Sequence, residues 1–169
     1  MNQAMYTTSV PVFKQFLGSL DSLLAKAEAH AQARKIDPVA LTQSRIFPDM
    51  FPLTMQVQIA CNFASGVTAR LAGVEPPPFD KDALTFEQMR ALIKRTNDFV
   101  TALKPAQFEG SDQREIVLNP GTPKERRFNG QTYLLAYGMP QFFFHLTTTY
   151  ALLRHAGVEI GKSDFVGQY

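Results

Sequence analysis

The chain has 169 residues, of which 45% are hydrophobic and 19% charged, and its formal net charge at pH 7 is +2. This length and composition are typical of one globular domain covering residues 1–169. The near-neutral charge argues against nucleic acid or an anionic membrane as a partner. No apolar run approaches the ~20 residues that cross a bilayer. We expect no signal peptide, and the lone Cys61 fits a cytoplasmic protein without an intramolecular disulfide.

The first predicted helix spans residues 10–33. Its apolar side chains recur every three or four positions, the spacing that places them on one face of a helix. They are Phe13, Phe16, Leu17, Leu20, Leu23, Leu24 and Ala27. Asp37 and Pro38 then predict a short helical piece, because aspartate caps helix N-termini and proline suits the first helical position.

The second predicted helix spans residues 49–71 and ends at Gly73, since glycine readily adopts the left-handed conformation that follows many helices. Its core stripe consists of Leu53, Val57, Ala60, Ala64, Val67 and Leu71. Gln56 borders this stripe. Gln58 is predicted on the opposite, polar face. The other residues predicted on that polar face are Thr54, Asn62 and Ser65. The two glutamines are therefore expected to have different surroundings.

A third helix is predicted to begin at Thr85, after a linker with three consecutive prolines at residues 76–78. Thr85 and Gln88 have the spacing of a capping box, in which a hydroxyl and an amide satisfy free backbone N–H groups. The helix must end before Pro105, because the residue preceding a proline is biased away from helical geometry.

The last predicted helix spans residues 139–157, MPQFFFHLTTTYALLRHAG, with a helical lead-in at 133–137. Before it, residues 114–118 and 126–128 predict two short strands around a segment rich in turn residues. Four long amphipathic helices with this excursion predict an all-α four-helix bundle with a small β-hairpin-like insertion before the last helix. The tail, residues 158–169, is apolar enough that we expect it to fold back.

His145 is the main candidate for chemistry, because the helical spacing directs its titratable ring into the bundle interior. Gln56 and Thr149 are placed to satisfy the ring by hydrogen bonds, since an unpaired buried polar group costs about 1–3 kcal/mol. A zinc site needs three or four strong ligands, and amide and hydroxyl oxygens bind weakly. A hydrogen-bonded core histidine is therefore the favoured interpretation, with a metal ligand as the alternative.

Two further features bear on function. Cys61 has no His or Lys at helical spacing to lower its pKa, so a small buried thiol is favoured over a nucleophile. Phe142, Phe143 and Phe144 point about 100° apart on a helix and cannot all face one core. One ring must contact another element, line an apolar pocket or meet a second subunit, which favours a homodimer.

Three segments carry a resemblance to a known family: PDMFPLTMQVQIA at residues 48–60, RLAG with the following glutamate and proline at 70–76, and FFFHLTTTYALLRHAGVEIGKSDF at 142–165. They resemble the domain of unknown function 1993, a branch of the DinB/YfiT-like four-helix-bundle superfamily. The resemblance implies that bundle fold, usually as a homodimer. It also implies a nickel or zinc ion on three histidines, and in some relatives a thiol-dependent transferase or hydrolase activity.

Carried over to this chain, the three implied ligand positions fall on Gln56, His145 and Thr149, so one histidine of three is present. We therefore expect a DinB-like bundle of unassigned activity with a degenerate metal site and no cofactor. It is expected to bind a small ligand in the cleft near Gln56, His145 and Tyr150. The alternative is an enzyme that depends on a divalent metal such as nickel or zinc and uses His145 with substitute ligands.

Overall fold

The structure is a computed structural model that describes residues 4–168. The helices are α1 (Ala4–Thr7), α2 (Val10–Arg34), α3 (Pro38–Thr42), α4 (Leu53–Ala72), α5 (Phe86–Ala102), α6 (Gly130–Thr132), α7 (Met139–His155) and α8 (Lys162–Val166). Two strands, β1 (Glu115–Leu118) and β2 (Arg126–Asn129), lie between α5 and α6. The predicted fold class, a helical bundle with a hairpin before the last long helix, is confirmed.

The local signals in the sequence set several helix ends. The Thr85 hydroxyl and the Gln88 amide form the predicted capping box at the start of α5. The Asp37 carboxylate accepts the backbone N–H of Val39 at the start of α3. Gly73 ends α4 with a φ of 72°, a left-handed conformation. These ends confirm the capping arguments, because each cap satisfies a backbone group that the helix itself leaves open.

The second long helix, α4, begins four residues later than predicted, at Leu53 rather than at residue 49. Pro52 precedes it with an extended backbone, φ −69° and ψ 166°. The residue before a proline is disfavoured in helical geometry, so Pro52 prevents the helix from extending back through Phe51.

Four long helices form the bundle. The central helix α4 packs against α5 on one side and α7 on another, and α5 also packs against α2. Phe13 of α2 meets Phe142 of α7 edge-on, with ring centroids 4.9 Å apart. The fully buried core includes Leu17, Leu20, Leu24, Val57, Leu71 and Met89. Each such side chain contributes about 1.5–3 kcal/mol relative to an exposed one.

The predicted polar face of α4 is wrong for most of its members. Asn62 is exposed, but Thr54, Gln58 and Ser65 are all buried. A helical wheel predicts one buried stripe, whereas α4 is covered on two sides by its neighbours and on this face also by the proline-rich linker.

The last long helix is continuous with a π-helical turn, Tyr133–Gly138, where the sequence predicts a helical lead-in. Pro140 follows this turn; it lacks an N–H and would clash with a carbonyl in a regular helix, which a wider turn relieves. Gly138 lies directly against α4, because an added Cβ would come within 2.5 Å of Val67 Cγ2. A side chain at this position would push the π-helical turn away from α4.

The hairpin and the tail complete the fold. β1 and β2 pair antiparallel, with Ile116 opposite Phe128. The tail folds back as predicted: the Gln15 amide donates to the Val166 carbonyl at 2.9 Å, and Phe165 packs on Phe16. Tyr169 lies outside the described residues. Of the helices between residues 4 and 168, none combines the length and the hydropathy needed to span a membrane.

Candidate functional site at the α4–α7 seam

His145 and Gln56 face each other across the seam between α7 and α4. Imidazole Nδ1 lies 2.7 Å from Gln56 Oε1. His145 is 7% exposed and Gln56 1% exposed, so both side chains are buried. Burial of the imidazole and its pairing with Gln56, both expected from the helical spacing, are therefore present in the structure.

The hydrogen bonds of Gln56 determine which nitrogen of His145 carries the proton. Gln56 Nε2 donates to the carbonyl oxygen of Phe51 at 3.1 Å, which directs Oε1 toward the imidazole. Because Oε1 accepts only, Nδ1 of a neutral His145 must be the donor. Nε2 is then left with its lone pair, and it makes no hydrogen bond with any residue from 4 to 168.

Aromatic rings surround the imidazole. Phe63 of α4 stacks on it at 6.2 Å between centroids, with an interplanar angle of 15°. Phe144 meets it edge-on at 5.2 Å and is itself 57% exposed. Burial in these surroundings lowers the pKa of His145 from 6.5 to about 4, since desolvation disfavours the charged ring. At neutral pH the ring is therefore uncharged, and the lone pair of Nε2 is free to accept a hydrogen bond.

The structure does not bring the other two predicted site residues to the ring. The Thr149 hydroxyl donates to the backbone carbonyl oxygen of His145 at 2.9 Å, the usual local bond of a helical threonine. Tyr150 packs edge-on against Phe165 of the tail, at 5.7 Å between centroids. The seam site therefore consists of Gln56, His145 and the rings that flank them.

These residues do not fit the three-histidine metal site that the family resemblance implies. Gln56 Oε1 is used by the imidazole Nδ1–H, and the Thr149 hydroxyl is used by a backbone carbonyl. Residues 4–168 contain no group of three or more His, Cys, Asp or Glu side chains placed to hold a metal ion. A single imidazole nitrogen is too small a donor set for zinc.

Cys61 lies on the other side of α4, buried against Thr96 of α5. Burial raises the pKa of its thiol to about 12, although the hydrogen bond with Thr96 acts in the opposite direction. A thiol with this pKa stays protonated at neutral pH and is a poor nucleophile.

Sequence reasoning missed two contributors to the α4 surroundings. The first is the Phe51 carbonyl, which orients Gln56. Every residue has a backbone carbonyl, so no pattern of side chains predicts this contact. The helical spacing predicts Gln58 on the polar face, yet it is buried beneath the proline-rich linker. The three consecutive prolines are the signal that could have suggested this, because a stiff linker returning across α4 covers whatever lies beneath it.

The helical bundle with its hairpin before the last long helix places this protein in the DinB-like class. The chain belongs to the family described as "Domain of unknown function (DUF1993)", which matches residues 5–166. It is also similar to the crystal structure of a DinB family member protein from Shewanella denitrificans, with 34% identity and a TM-score of 0.92. That match covers 99% of this chain and 94% of the other. No curated protein matches the sequence. The resemblance seen in the sequence is thus confirmed.

Proposed function

We propose that this protein binds a small molecule at the α4–α7 seam through a hydrogen bond from the ligand to His145 Nε2. The observation that carries the proposal is the relay from the Phe51 carbonyl through Gln56 to Nδ1. This relay holds the ring in one tautomer and leaves Nε2 open. A buried Nδ1–H needs an acceptor in any case, so it is the open Nε2, left by this relay without a partner, that indicates a ligand.

The surroundings of the ring indicate the kind of ligand. Neutral Nε2 accepts a hydrogen bond, so the ligand offers an O–H or N–H donor. Phe63 and the half-exposed Phe144 flank the imidazole, which favours a ligand with an apolar part. An uncharged ligand suits the seam, because the apolar rings there offer no charge to pair with an ion.

The test is nuclear magnetic resonance of protein whose histidines carry 15N, with benzyl alcohol as the probe and benzyl methyl ether as its donor-free control. We expect an unprotonated Nε2 whose resonance shifts with the alcohol and not with the ether. In Gln56→Met the tautomer preference weakens. A proton on Nε2 in the native protein, or equal responses to the two probes, would contradict the proposal.

The second candidate is an enzyme that depends on a divalent metal, of thiol-dependent transferase or hydrolase type, with His145 and substitute ligands. One observation favours it: a carbonyl-type acceptor on Nδ1–H is the usual arrangement that orients a metal-ligating histidine. Metal analysis of protein purified without an affinity tag separates the two candidates. Stoichiometric nickel or zinc that is lost in His145→Ala supports the enzyme, and metal-free native protein contradicts it.

We also propose a cytoplasmic homodimer that pairs through α7. Phe142 packs on Phe13, and Phe143 packs on Phe16 at 4.8 Å, whereas Phe144 remains exposed beside His145. A second copy would cover this ring. Light scattering at several concentrations is the test: we expect a dimer that Phe144→Ser weakens, and a strict monomer at all concentrations would contradict it.

A further inference from the structure

A cavity lies on the opposite side of α4 from His145, between α4, α5 and the linker of residues 74–84. Residues 56 and 58 lie about 200° apart around the helix, so this cavity is separate from the seam site. Its volume is about 250 Å³. The side chains that matter to its chemistry are Gln58, Cys61, Phe79, Arg95, Thr96 and Phe99.

Gln58 presents an acceptor here that the protein leaves unused. The side chain is 1% exposed. Its Nε2 donates to the carbonyl oxygens of Lys81 at 3.2 Å and Ala83 at 2.9 Å, both in the linker. Since carbonyls only accept, the amide orientation is fixed. Oε1 is fully buried and has no hydrogen-bond partner among residues 4–168.

The charges around the cavity are already paired. Arg95 Nη2 lies 2.6 Å from Asp80 Oδ2, and Asp80 Oδ1 accepts the backbone N–H of Asp82. Because Arg95 and Asp80 pair with each other, neither offers an unpaired charge to an ionic ligand, so the cavity suits an uncharged molecule.

The buried hydroxyl and thiol groups of the lining have hydrogen-bond partners, and the Asn62 side chain is exposed to solvent. The Thr96 hydroxyl donates to the Leu92 carbonyl at 2.9 Å and is hydrogen-bonded to the Cys61 thiol. The thiol adds no negative charge, because burial raises its pKa to about 12. Among the lining residues, Gln58 therefore carries the one fully buried side-chain oxygen within residues 4–168 that lacks a hydrogen-bond donor.

We propose that this cavity binds a small uncharged aromatic molecule whose O–H or N–H group donates to Gln58 Oε1. Phe79, Phe99 and the neighbouring prolines supply an apolar wall for the ring. An apolar cavity of about 150 Å³ accommodates benzene in another protein, so the volume here suffices for one ring and a donor group. This site is independent of the seam site and of any ligand there.

The test is a titration of the full chain with phenol, followed by the side-chain NH₂ resonances of Gln58. Anisole is the matched control, because a methyl group replaces the donating proton. We expect phenol to bind at least about ten-fold more tightly than anisole, the worth of one hydrogen bond to a buried acceptor. Equal affinities would overturn the proposal. So would shifts confined to His145, an outcome that places the phenol at the seam instead.

Variants test the assignment of the acceptor. Gln58→Met removes Oε1 at similar volume, and we expect it to abolish the difference between phenol and anisole. The same replacement at the exposed Gln32 of α2 should leave that difference intact. Because Gln58→Met also releases the linker, a second variant, Ser65→Leu, fills the cavity without touching the linker bonds. Phenol binding that survives in folded Ser65→Leu would overturn the proposal.

Discussion

Gln56 and Gln58 lie two residues apart on α4 and face opposite sides of that helix. Both side chains are 1% exposed, and both donate hydrogen bonds from Nε2 to backbone carbonyl oxygens. Gln56 donates to Phe51, just before α4, and Gln58 donates to Lys81 and Ala83 of the linker. They differ in the carbonyl oxygen of the amide. That of Gln56 accepts from His145, whereas that of Gln58 has no partner within residues 4–168.

The difference shows how one helix can serve two neighbours differently. On the α7 side both polar atoms of the Gln56 amide have protein partners, and the atom left without one is Nε2 of His145. On the α5 side the open atom belongs to the glutamine itself. A buried acceptor without a partner costs about 1–3 kcal/mol, so a donor that arrives from outside is favoured there.

The largest expected effect is on the pH dependence of stability, and it concerns the α7 side alone. The pKa of His145 is about 4 in the folded protein against 6.5 as an ordinary value. Between these values the unfolded chain binds a proton that the folded chain does not, so stability falls as pH drops from 6.5 to 4. We expect the free energy of unfolding to fall by about 3 kcal/mol in total, and urea unfolding at several pH values measures it.

His145→Leu provides the control for this pH effect, because other groups also titrate in the same range. The difference in the free energy of unfolding between native protein and variant should shrink as the pH falls. A constant difference across the range would show that the histidine titrates normally in the fold.

The next effect compares the two glutamines directly. Gln56→Met leaves the buried Nδ1–H of His145 unpaired, and we expect it to cost about 2 kcal/mol. Gln58→Met loses two bonds to the linker but also removes the unpartnered oxygen, so its cost should stay below about 1 kcal/mol. Urea unfolding of both variants measures these losses in the free energy of unfolding. Equal losses would contradict the proposed difference between the two sides of α4.

A smaller effect is the coupling between Gln56 and His145. In a double-mutant cycle with Gln56→Met and His145→Leu, the combined cost should fall short of the sum by about 1 kcal/mol, because each change alone leaves a buried group unpaired. The same cycle with Gln58→Met in place of Gln56→Met should be additive. Additivity in both cycles would mean that the 2.7 Å contact contributes nothing measurable.

The last prediction concerns reactivity and leaves stability untouched. With its pKa raised to about 12, the thiol of Cys61 should react with a thiol reagent at pH 8 about a thousand-fold more slowly in the native protein than in denaturing urea. Phenol bound beside Gln58 should slow the reaction further. Rapid labelling of the native protein would show that this side of α4 opens readily.

Much of the bundle was predictable, because its signals are local. The capping box at Thr85, the cap at Asp37 and the glycine at Gly73 depend on bonds within a few residues of sequence. The Gln56–His145 pair was predictable for a different reason. Gln56 borders the core stripe of one helix and His145 lies on the core face of another, and a small bundle must pack these helices together.

Other parts of the site depend on information that helical spacing does not contain. Thr149 lies on the same face as His145, but a helical threonine reaches its own preceding carbonyl more readily than a neighbouring ring. Tyr150 is rotated one position further, toward the tail. The burial of Gln58 depends on the path of the linker over α4, which is a tertiary property.

The π-helical turn at Tyr133–Gly138 sets the rotational phase of α7 relative to the hairpin. A π turn holds more residues than a regular turn, and one residue corresponds to about 100° of rotation. Were this turn regular, either the hairpin would swing around the helix axis or the imidazole would point away from α4. The π-helical turn before Pro140 thus sets the direction in which the His145 ring, almost two helical turns later, points.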